Sequence, residues 1–244
     1  KREKPQFVGF DTETNGLNIK HHNPFLISFG FVTKDLEKIY SYTLDYEIAP
    51  KQVVIDTIYV IRKMFKRAEK VIGHHILFDI HMQRNVGLPF DNWDKFTDTQ
   101  IYIRLAHDAK IPKEGGAPLK LKEYTARFID PKAKLFEQKL KDEITNKKRA
   151  ATIKLKTALK GHPLPPKYNG TAKSWTMEVV EQFIKDKLNE LKDLPAETAL
   201  VIQHWMDTTP EPSNYQLLNR KSVTEYAHYD VIYTLLIFLK LKDV

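Results

Sequence analysis

Residues 6–17 read QFVGFDTETNGL, and this stretch decides the expected fold. The apolar run at residues 6–10 is typical of a buried strand, and it leads directly into two acids, Asp11 and Glu13. Side chains two residues apart on a strand point to the same face, so the two carboxylates are expected to lie side by side. Two like charges that close need a compensating cation, which favours a divalent-metal site. The alternative is a pair of solvated surface acids.

The rest of the chain continues with strands and helices in alternation, which predicts an α/β fold. Apolar runs predict further strands at residues 25–32, 39–42 and 70–73. Helical spacing predicts helices at residues 53–65, 119–128, 174–191, 196–206 and 221–241. Two more helices are predicted, one that begins near Phe78 and one that follows an N-cap at Asp98. The last helix is expected to pack against the sheet through its apolar positions.

The composition limits the chemistry that the chain can perform. The 244 residues include no cysteine, so a bound metal must be held by oxygen or imidazole ligands, which favours hard cations. No stretch approaches the roughly 20 continuous apolar residues that a membrane-spanning helix needs. We therefore expect a soluble protein of the cytoplasm or an equivalent intracellular compartment, without a membrane partner, and part of a longer protein.

The positive charge is concentrated in one segment. Residues 131–170 hold eleven Lys or Arg and three acids, which accounts for the whole net charge of +8. Residues 131–218 are predicted to form a basic, largely helical insertion within a single domain of residues 1–244. Lysine and arginine bind polyanions by releasing counterions from phosphates, so Lys147, Lys148 and Arg149 are candidate nucleic-acid contacts. The alternative is a solvated insertion with no such partner.

Three more candidate residues lie further along the chain. Tyr226 and Asp230 are four residues apart on the predicted last helix, so they share one of its faces. The alternative for this pair is a core tyrosine and an aspartate that is paired with a lysine. Asp79 opens a predicted helix, where an acid is also favoured by the helix dipole.

Three segments taken together are more specific than any one of them. They are FDTETNGL at residues 10–17, GHHILFD at residues 73–79 and YAHYD at residues 226–230. In this order they resemble the three motifs of the DEDD superfamily of 3′→5′ exonucleases, in its tyrosine-containing branch. The first motif is most similar to the proofreading domains of family A DNA polymerases of phages and bacteria. The resemblance covers residues 5–128 and 221–241 and leaves out residues 131–218.

The resemblance implies a ribonuclease-H-like fold, in which a mixed β-sheet is flanked by helices, and a site for two divalent cations, Mg²⁺ or Mn²⁺. It implies that Asp11 bridges both ions, that Glu13 and Asp230 complete the first, and that Asp79 holds the second through water. In such a hydrolysis two ions about 3.5–4 Å apart stabilise the attacking and leaving oxygens. Tyr226 with Glu13 would orient the attacking water, which completes the expected catalytic set.

Three residues near the motifs are expected to contact the nucleic acid: Thr14, Leu17 and His75. Leu17 matches the family position that wedges against the terminal base, and a core leucine is the alternative. His75 stands where the family usually has Asn, which would offer an amide to the substrate. Because imidazole can still donate one hydrogen bond, we expect the change to tune activity rather than abolish it.

The function expected from these residues is removal of nucleotides from the 3′ end of DNA, as the proofreading domain of a DNA polymerase. The expected partners are single-stranded or frayed 3′ DNA ends and a polymerase domain of the same or a partner chain. One alternative is a ribonuclease-D-like exonuclease, which acts on RNA with the same residues. Another is a non-catalytic nucleic-acid-binding module. No sequence feature discriminates the 2′-hydroxyl of RNA.

Overall fold

The computed structural model of the protein describes residues 6–33, 38–87, 93–107, 116–158, 182, 196–208 and 215–244. The strands in these residues are β1 (Phe7–Thr14), β2 (Pro24–Val32), β3 (Ile39–Asp45), β4 (Lys70–Gly73) and β5 (Phe96–Asp98). The α-helices are α1 (Lys51–Arg67), α2 (Ile76–Asn85), α3 (Thr99–Ala106), α4 (Leu121–Phe128), α5 (Lys134–Ala158), α6 (Ala196–Thr208) and α7 (Arg220–Leu241). Short 3₁₀ helices lie at Trp93–Lys95, Pro131–Ala133 and Tyr215–Leu217.

The five strands form one mixed sheet in the order β3-β2-β1-β4-β5. Strand β1 is central, with β2 antiparallel on one side and β4 parallel on the other. Strand β3 continues the sheet antiparallel to β2, and β5 continues it parallel to β4. This arrangement, flanked by helices, confirms the predicted α/β fold of the ribonuclease-H-like type.

Helices cover both faces of the sheet. On one face, Phe10 of β1 packs in a cluster with Ile61 of α1 and Ile80 of α2. On the other face, Phe7 packs in a cluster with Leu235 of α7. Because side chains alternate along a strand, even-numbered residues of β1 face α1 and α2, and odd-numbered residues face α7.

Two glycines let α7 lie close against the sheet. A Cβ atom added at Gly9 of β1 would lie 2.7 Å from Leu235 Cγ and 3.1 Å from Val231 Cγ1. A Cβ atom at Gly30 of β2 would lie 2.8 Å from the same Val231 atom. These distances are shorter than van der Waals contact, so the absence of side chains at the two glycines lets α7 approach β1 and β2 closely.

The predicted elements are present wherever the chain is described, with shifted ends. The apolar run of β1 ends at Phe10, and the strand itself continues through both acids to Thr14. It continues because the motif residues pair with β2, Asp11 with Ser28 and Glu13 with Leu26. The helix predicted at residues 174–191 lies outside the described residues, apart from the single residue 182.

The chain divides into two compact units, one formed by Lys1–Leu140 with Ser213–Val244 and the other by Lys141–Pro212. The first unit contains the whole sheet. The second unit is helical in its described residues, with part of α5 and all of α6. The predicted insertion at residues 131–218 stays a prediction. None of the described helices is long and apolar enough to cross a membrane.

We predict that Gly9→Ala destabilises the protein by about 1–3 kcal/mol, because the new methyl group overpacks the contact with α7. Urea unfolding of the wild type and the variant measures this difference. Leu235→Ala, which creates space at the same point, should make the effect of Gly9→Ala smaller in the double variant than in the single one. Strictly additive costs would contradict this explanation.

Candidate active site

Strand β1 positions the two acids of the first motif. Both lie inside the sheet rather than beyond its end, because each pairs with a residue of β2. Their side chains share the face that α7 covers. Glu13 is buried, with 8 % of its surface exposed, and Asp11 is half-buried.

Helix α7 brings a third acid to the same place. The helix begins after Asn219, whose Oδ1 accepts hydrogen bonds from the backbone N–H groups of residues 221 and 222. Asp230 lies in the middle of α7 and is 6 % exposed. Carboxylate oxygens of Asp11, Glu13 and Asp230 lie within 4.8 Å of one another. Val231, the neighbour of Asp230, makes the close contacts with the sheet glycines, so this packing sets the position of Asp230.

Asp79 is tied to the same strand from the opposite face. Its Oδ1 accepts hydrogen bonds from the backbone N of Thr12 at 2.9 Å and from Thr12 Oγ1 at 2.6 Å. Because β4 pairs with β1 only as far as Gly9, Asp79 supplies an acceptor to an amide that has no β4 partner. Asp79 is outside the group of three acids, yet it is near enough for the charge of Asp11 to raise its pKa.

The conformation of the turn between β4 and α2 explains why a histidine can occupy position 75. This residue has the left-handed conformation, with φ 63° and ψ 41°. Asn, Asp and His are enriched among the non-glycine residues that adopt it. The Asp98 carboxylate fixes the turn, since it accepts from the backbone N of His75 at 3.0 Å and of Ile76 at 3.2 Å. Asp98 also accepts from the backbone N of Gln100, which confirms it as the N-cap of α3. The backbone therefore tolerates His where the family usually has Asn.

The family model described as 3′-5′ exonuclease matches residues 1–160. The chain belongs to this 3′-5′ exonuclease family. The match confirms the resemblance to exonucleases of the DEDD superfamily that the motifs indicated. It contains Asp11, Glu13 and Asp79 and ends before Tyr226 and Asp230, so the third motif is supported by the geometry of α7 instead. No curated protein matches the chain.

Burial dominates the electrostatics of the acids in this exonuclease. It raises the pKa of Asp11 from 3.8 to about 7. It also raises the pKa values of Glu13 and Asp79 well above their ordinary range, and the charge of Asp11 adds to both shifts. Neighbouring carboxylates that repel one another are a suitable site for a cation, and Asp11, Glu13 and Asp230 could hold a metal ion.

Lys122 of α4 is a charged residue at this site that the sequence analysis missed. It is 5 % exposed and forms an ion pair with Asp230 Oδ1. Loss of solvent lowers its pKa to about 8, while the charges of Asp11 and Glu13 oppose the shift. The alternative expected for Asp230, pairing with a lysine, is therefore present together with the acid cluster. Nothing in the local sequence indicates this burial, because lysine on a short helix is usually exposed.

Tyr226 lies beside the acids with a second tyrosine that the sequence analysis also missed. Burial raises the pKa of Tyr226 well above 10, and the charge of Glu13 adds to the shift, so the hydroxyl is protonated at neutral pH. It shares a hydrogen bond with the hydroxyl of Tyr215, and the two rings meet edge to face at 5.6 Å. Burial raises the pKa of Tyr215 to about 12. Tyr215 lies in a 3₁₀ helix too short to give a periodic pattern.

The turn after β1 carries two of the expected nucleic-acid contacts. Leu17 is 67 % exposed, so the alternative of a core leucine is wrong. Thr14 is buried, and its Oγ1 donates a hydrogen bond to the Gly16 carbonyl at 2.8 Å, which stabilises the turn that presents Leu17. Contact of either residue with a nucleic acid stays a prediction.

The basic candidates of the second unit lie on α5. Lys147 and Arg149 are exposed and Lys148 is half-buried. Lys147 also forms an ion pair with Glu143 at 3.6 Å. Binding of nucleic acid by these three residues stays a prediction.

His74 adjoins the site and is held as a neutral imidazole. Thr99 Oγ1 donates to the Gly73 carbonyl at 3.2 Å and lies 2.8 Å from His74 Nδ1. The threonine oxygen is thus free to accept a hydrogen bond from Nδ1–H. Loss of solvent lowers the pKa of His74 from 6.5 to about 4, although the charge of Asp98 opposes the shift.

We predict that His74 makes the protein less stable as the pH falls from 6.5 to about 4. In this window the unfolded chain binds a proton at His74 that the folded chain does not bind. The contribution of His74 to the free energy of unfolding, which is complete above pH 6.5, is therefore lost as the pH falls. The loss should not exceed about 3 kcal/mol. Urea unfolding of the wild type and His74→Gln across this window isolates the effect, since glutamine does not titrate. A constant difference between the two proteins would show that His74 is not the cause.

Proposed function

We propose that this exonuclease hydrolyses DNA from its 3′ end with divalent cations, as the proofreading domain of a DNA polymerase. The observation that carries the proposal is the convergence of Asp11, Glu13 and Asp230, whose oxygens lie within 4.8 Å, in a chain of the 3′-5′ exonuclease family. The first motif, which is most similar to the proofreading domains of family A polymerases, supports DNA as the substrate.

The donor set fits Mg²⁺ or Mn²⁺. The converging ligand atoms are carboxylate oxygens, which these hard cations prefer, and the chain has no cysteine to offer a softer site. Asp11, Glu13 and Asp230 would hold one cation, and Asp79 with Asp11 would hold a second through water. When bound, two such cations supply counter-charge to the scissile phosphate and lower the pKa of the attacking water.

Tyr226 and Glu13 would position the attacking water. Because the tyrosine hydroxyl is protonated, it can donate or accept a hydrogen bond without ionising. The charge of Glu13 raises the pKa of this hydroxyl, which supports a joint role for the two groups. Holding a reactant in the correct orientation lowers the barrier even without proton transfer.

Leu17 and His75 would hold the end of the DNA strand. The exposed Leu17 side chain offers an apolar surface against the terminal base. The side chain of His75 is exposed at the start of α2, the helix that carries Asp79, where it could donate a hydrogen bond to the substrate. These contacts would favour a frayed single strand over a paired end.

We predict that the chain with Mg²⁺ or Mn²⁺ shortens 5′-labelled single-stranded DNA from its 3′ end. Asp11→Ala should abolish shortening while leaving DNA binding mostly intact, because it removes a metal ligand. Tyr226→Phe should slow shortening by about 10- to 100-fold, because it removes only a positioning group. A time course of the DNA ladder, with filter binding as the control, measures both effects.

The same digestion decides between the proposed function and its alternatives. An intact DNA ladder in the presence of both metals would contradict the proposal, and retained binding would then favour a non-catalytic module. A matched RNA strand that is shortened faster than DNA would favour a ribonuclease-D-like enzyme.

We predict that charge reversal at Lys147, Lys148 and Arg149 weakens single-stranded DNA binding. If all three side chains contact phosphates, the slope of log binding constant against log salt concentration should become shallower by about 2. Salt titrations of DNA affinity measure the slope.

A matched triple variant controls for net charge. Charge reversal at Lys63, Lys66 and Arg67, which are exposed on α1, changes the total charge by the same amount. We expect it to change the salt slope far less. Equal effects of the two triple variants would show that α5 has no specific role.

A further inference from the structure

Lys122 is buried in contact with an acid of the site. Its side chain is 6 % exposed and that of Asp230 is 8 % exposed, and the two form an ion pair. Lysine is almost never this buried unless its charge is paired. The usual roles of a surface lysine, solubility and an exposed ion pair, therefore do not explain why Lys122 is buried here.

The ammonium of Lys122 also lies near two tyrosine rings. It lies 4.5 Å from the ring centroid of Tyr226 and 5.0 Å from that of Tyr233. Its charge also acts on Asp11 and Glu13. Glu137, from the first turn of α5, is near enough to act on Lys122 in turn. The ammonium is thus a cation among the carboxylates that could hold a metal.

A divalent cation and Lys122 would compete for the same carboxylate. Asp230 belongs to the group whose oxygens lie within 4.8 Å of one another, and it also pairs with Lys122. Cations placed a few ångströms apart in a site with little solvent repel each other strongly. Asp230 cannot keep both partners without that cost.

We propose that Lys122 is a resident counter-ion, which holds Asp230 in the metal-free protein and must release it when a divalent cation binds. Lys122 thereby lowers the metal affinity of the site and stabilises the fold while no metal is bound. This inference rests on the proposed function, since it assumes that Asp11, Glu13 and Asp230 bind the metal.

Lys122→Met tests the proposal directly, because methionine keeps an apolar stem of similar size and removes the charge. Titration of the protein with Mn²⁺ alone and without DNA, at about pH 7 where Lys122 is still mostly charged, gives the dissociation constant by electron paramagnetic resonance of the free ion. We expect Lys122→Met to bind Mn²⁺ about tenfold or more tightly than the wild type does. Unchanged or weaker binding would overturn the proposal.

Lys120→Met is the matched control, at the N-cap of the same helix. The Lys120 side chain is 82 % exposed and pairs with Glu123 at 3.2 Å, so its loss changes the net charge equally without touching the site. We expect its Mn²⁺ affinity to stay within about twofold of the wild type, because exposed charges are screened. An equal tightening in this variant would show that net charge, rather than the ion pair with Asp230, is responsible.

Thermal unfolding gives a second readout. In EDTA, Lys122→Met should melt below the wild type, because the carboxylates lose their counter-ion. Saturating Mn²⁺ should raise its melting temperature by more than that of the wild type. Lys122→Gln is a second variant for the case in which Lys122→Met does not fold in EDTA, because glutamine can still donate a hydrogen bond to Asp230. It should bind Mn²⁺ more tightly than the wild type, as Lys122→Met does. If Mn²⁺ raised the melting temperatures of the wild type and of Lys122→Gln by the same amount, the proposal would be overturned.

Asp11→Asn separates this inference from the proposed function. If the wild type binds Mn²⁺ no better than Asp11→Asn, the metal site itself is wrong, and both proposals fall. If the wild type binds more tightly than Asp11→Asn but Lys122→Met gains nothing, only the role of Lys122 is wrong.

Discussion

The burial of several carboxylates close to one another is the constraint on which the rest of this structure depends. Glu13 and Asp79 are buried close to the half-buried Asp11, and burial together with the charge of Asp11 raises the free energy of ionising both. The fold must therefore hold them in place by contacts made elsewhere. Hydrogen bonds from Thr12 hold Asp79, and the packing of α7 on the sheet glycines holds Asp230. Stability of the scaffold offsets a site that is unfavourable by itself.

The acids and the expected substrate contacts lie on different kinds of structure. The four acids lie on β1, α2 and α7, which are packed against one another in the sheet unit. Rigid elements of this kind hold ligand atoms to the tolerance that a metal site needs. Leu17 lies on the turn after β1 and His75 on the turn before α2, where exposed side chains can adjust to a strand of nucleic acid. The acids that would bind metal therefore lie on packed elements, whereas the residues expected to contact the substrate lie on turns.

The sequence predicted those features that depend on local pattern. Alternation and helical spacing found four of the five described strands and most helices but not β5, and the Asp98 cap followed from residue type and position alone. The motif order indicated which acids would be brought together. The left-handed conformation of His75 was not predicted, because it depends on the backbone of the turn.

The sequence did not predict the groups that gather around the acids. Lys122 looks like any lysine of an exposed helix, and only the packing of α4 shows that it is buried. Tyr215 and Glu137 come from segments that approach the site through the fold rather than through the chain. Such long-range neighbours are decided by tertiary packing, which no local window contains.

Thr12 links the two faces of the sheet within a single strand. Its neighbours Asp11 and Glu13 point towards α7, whereas its own side chain points the other way and holds Asp79. Gaining or losing one residue in β1 would turn both acids into the apolar layer beneath α1 and break the link to Asp79 in the same step. An insertion or deletion in this strand would therefore disrupt three acids at once, whereas a single substitution would change only one position.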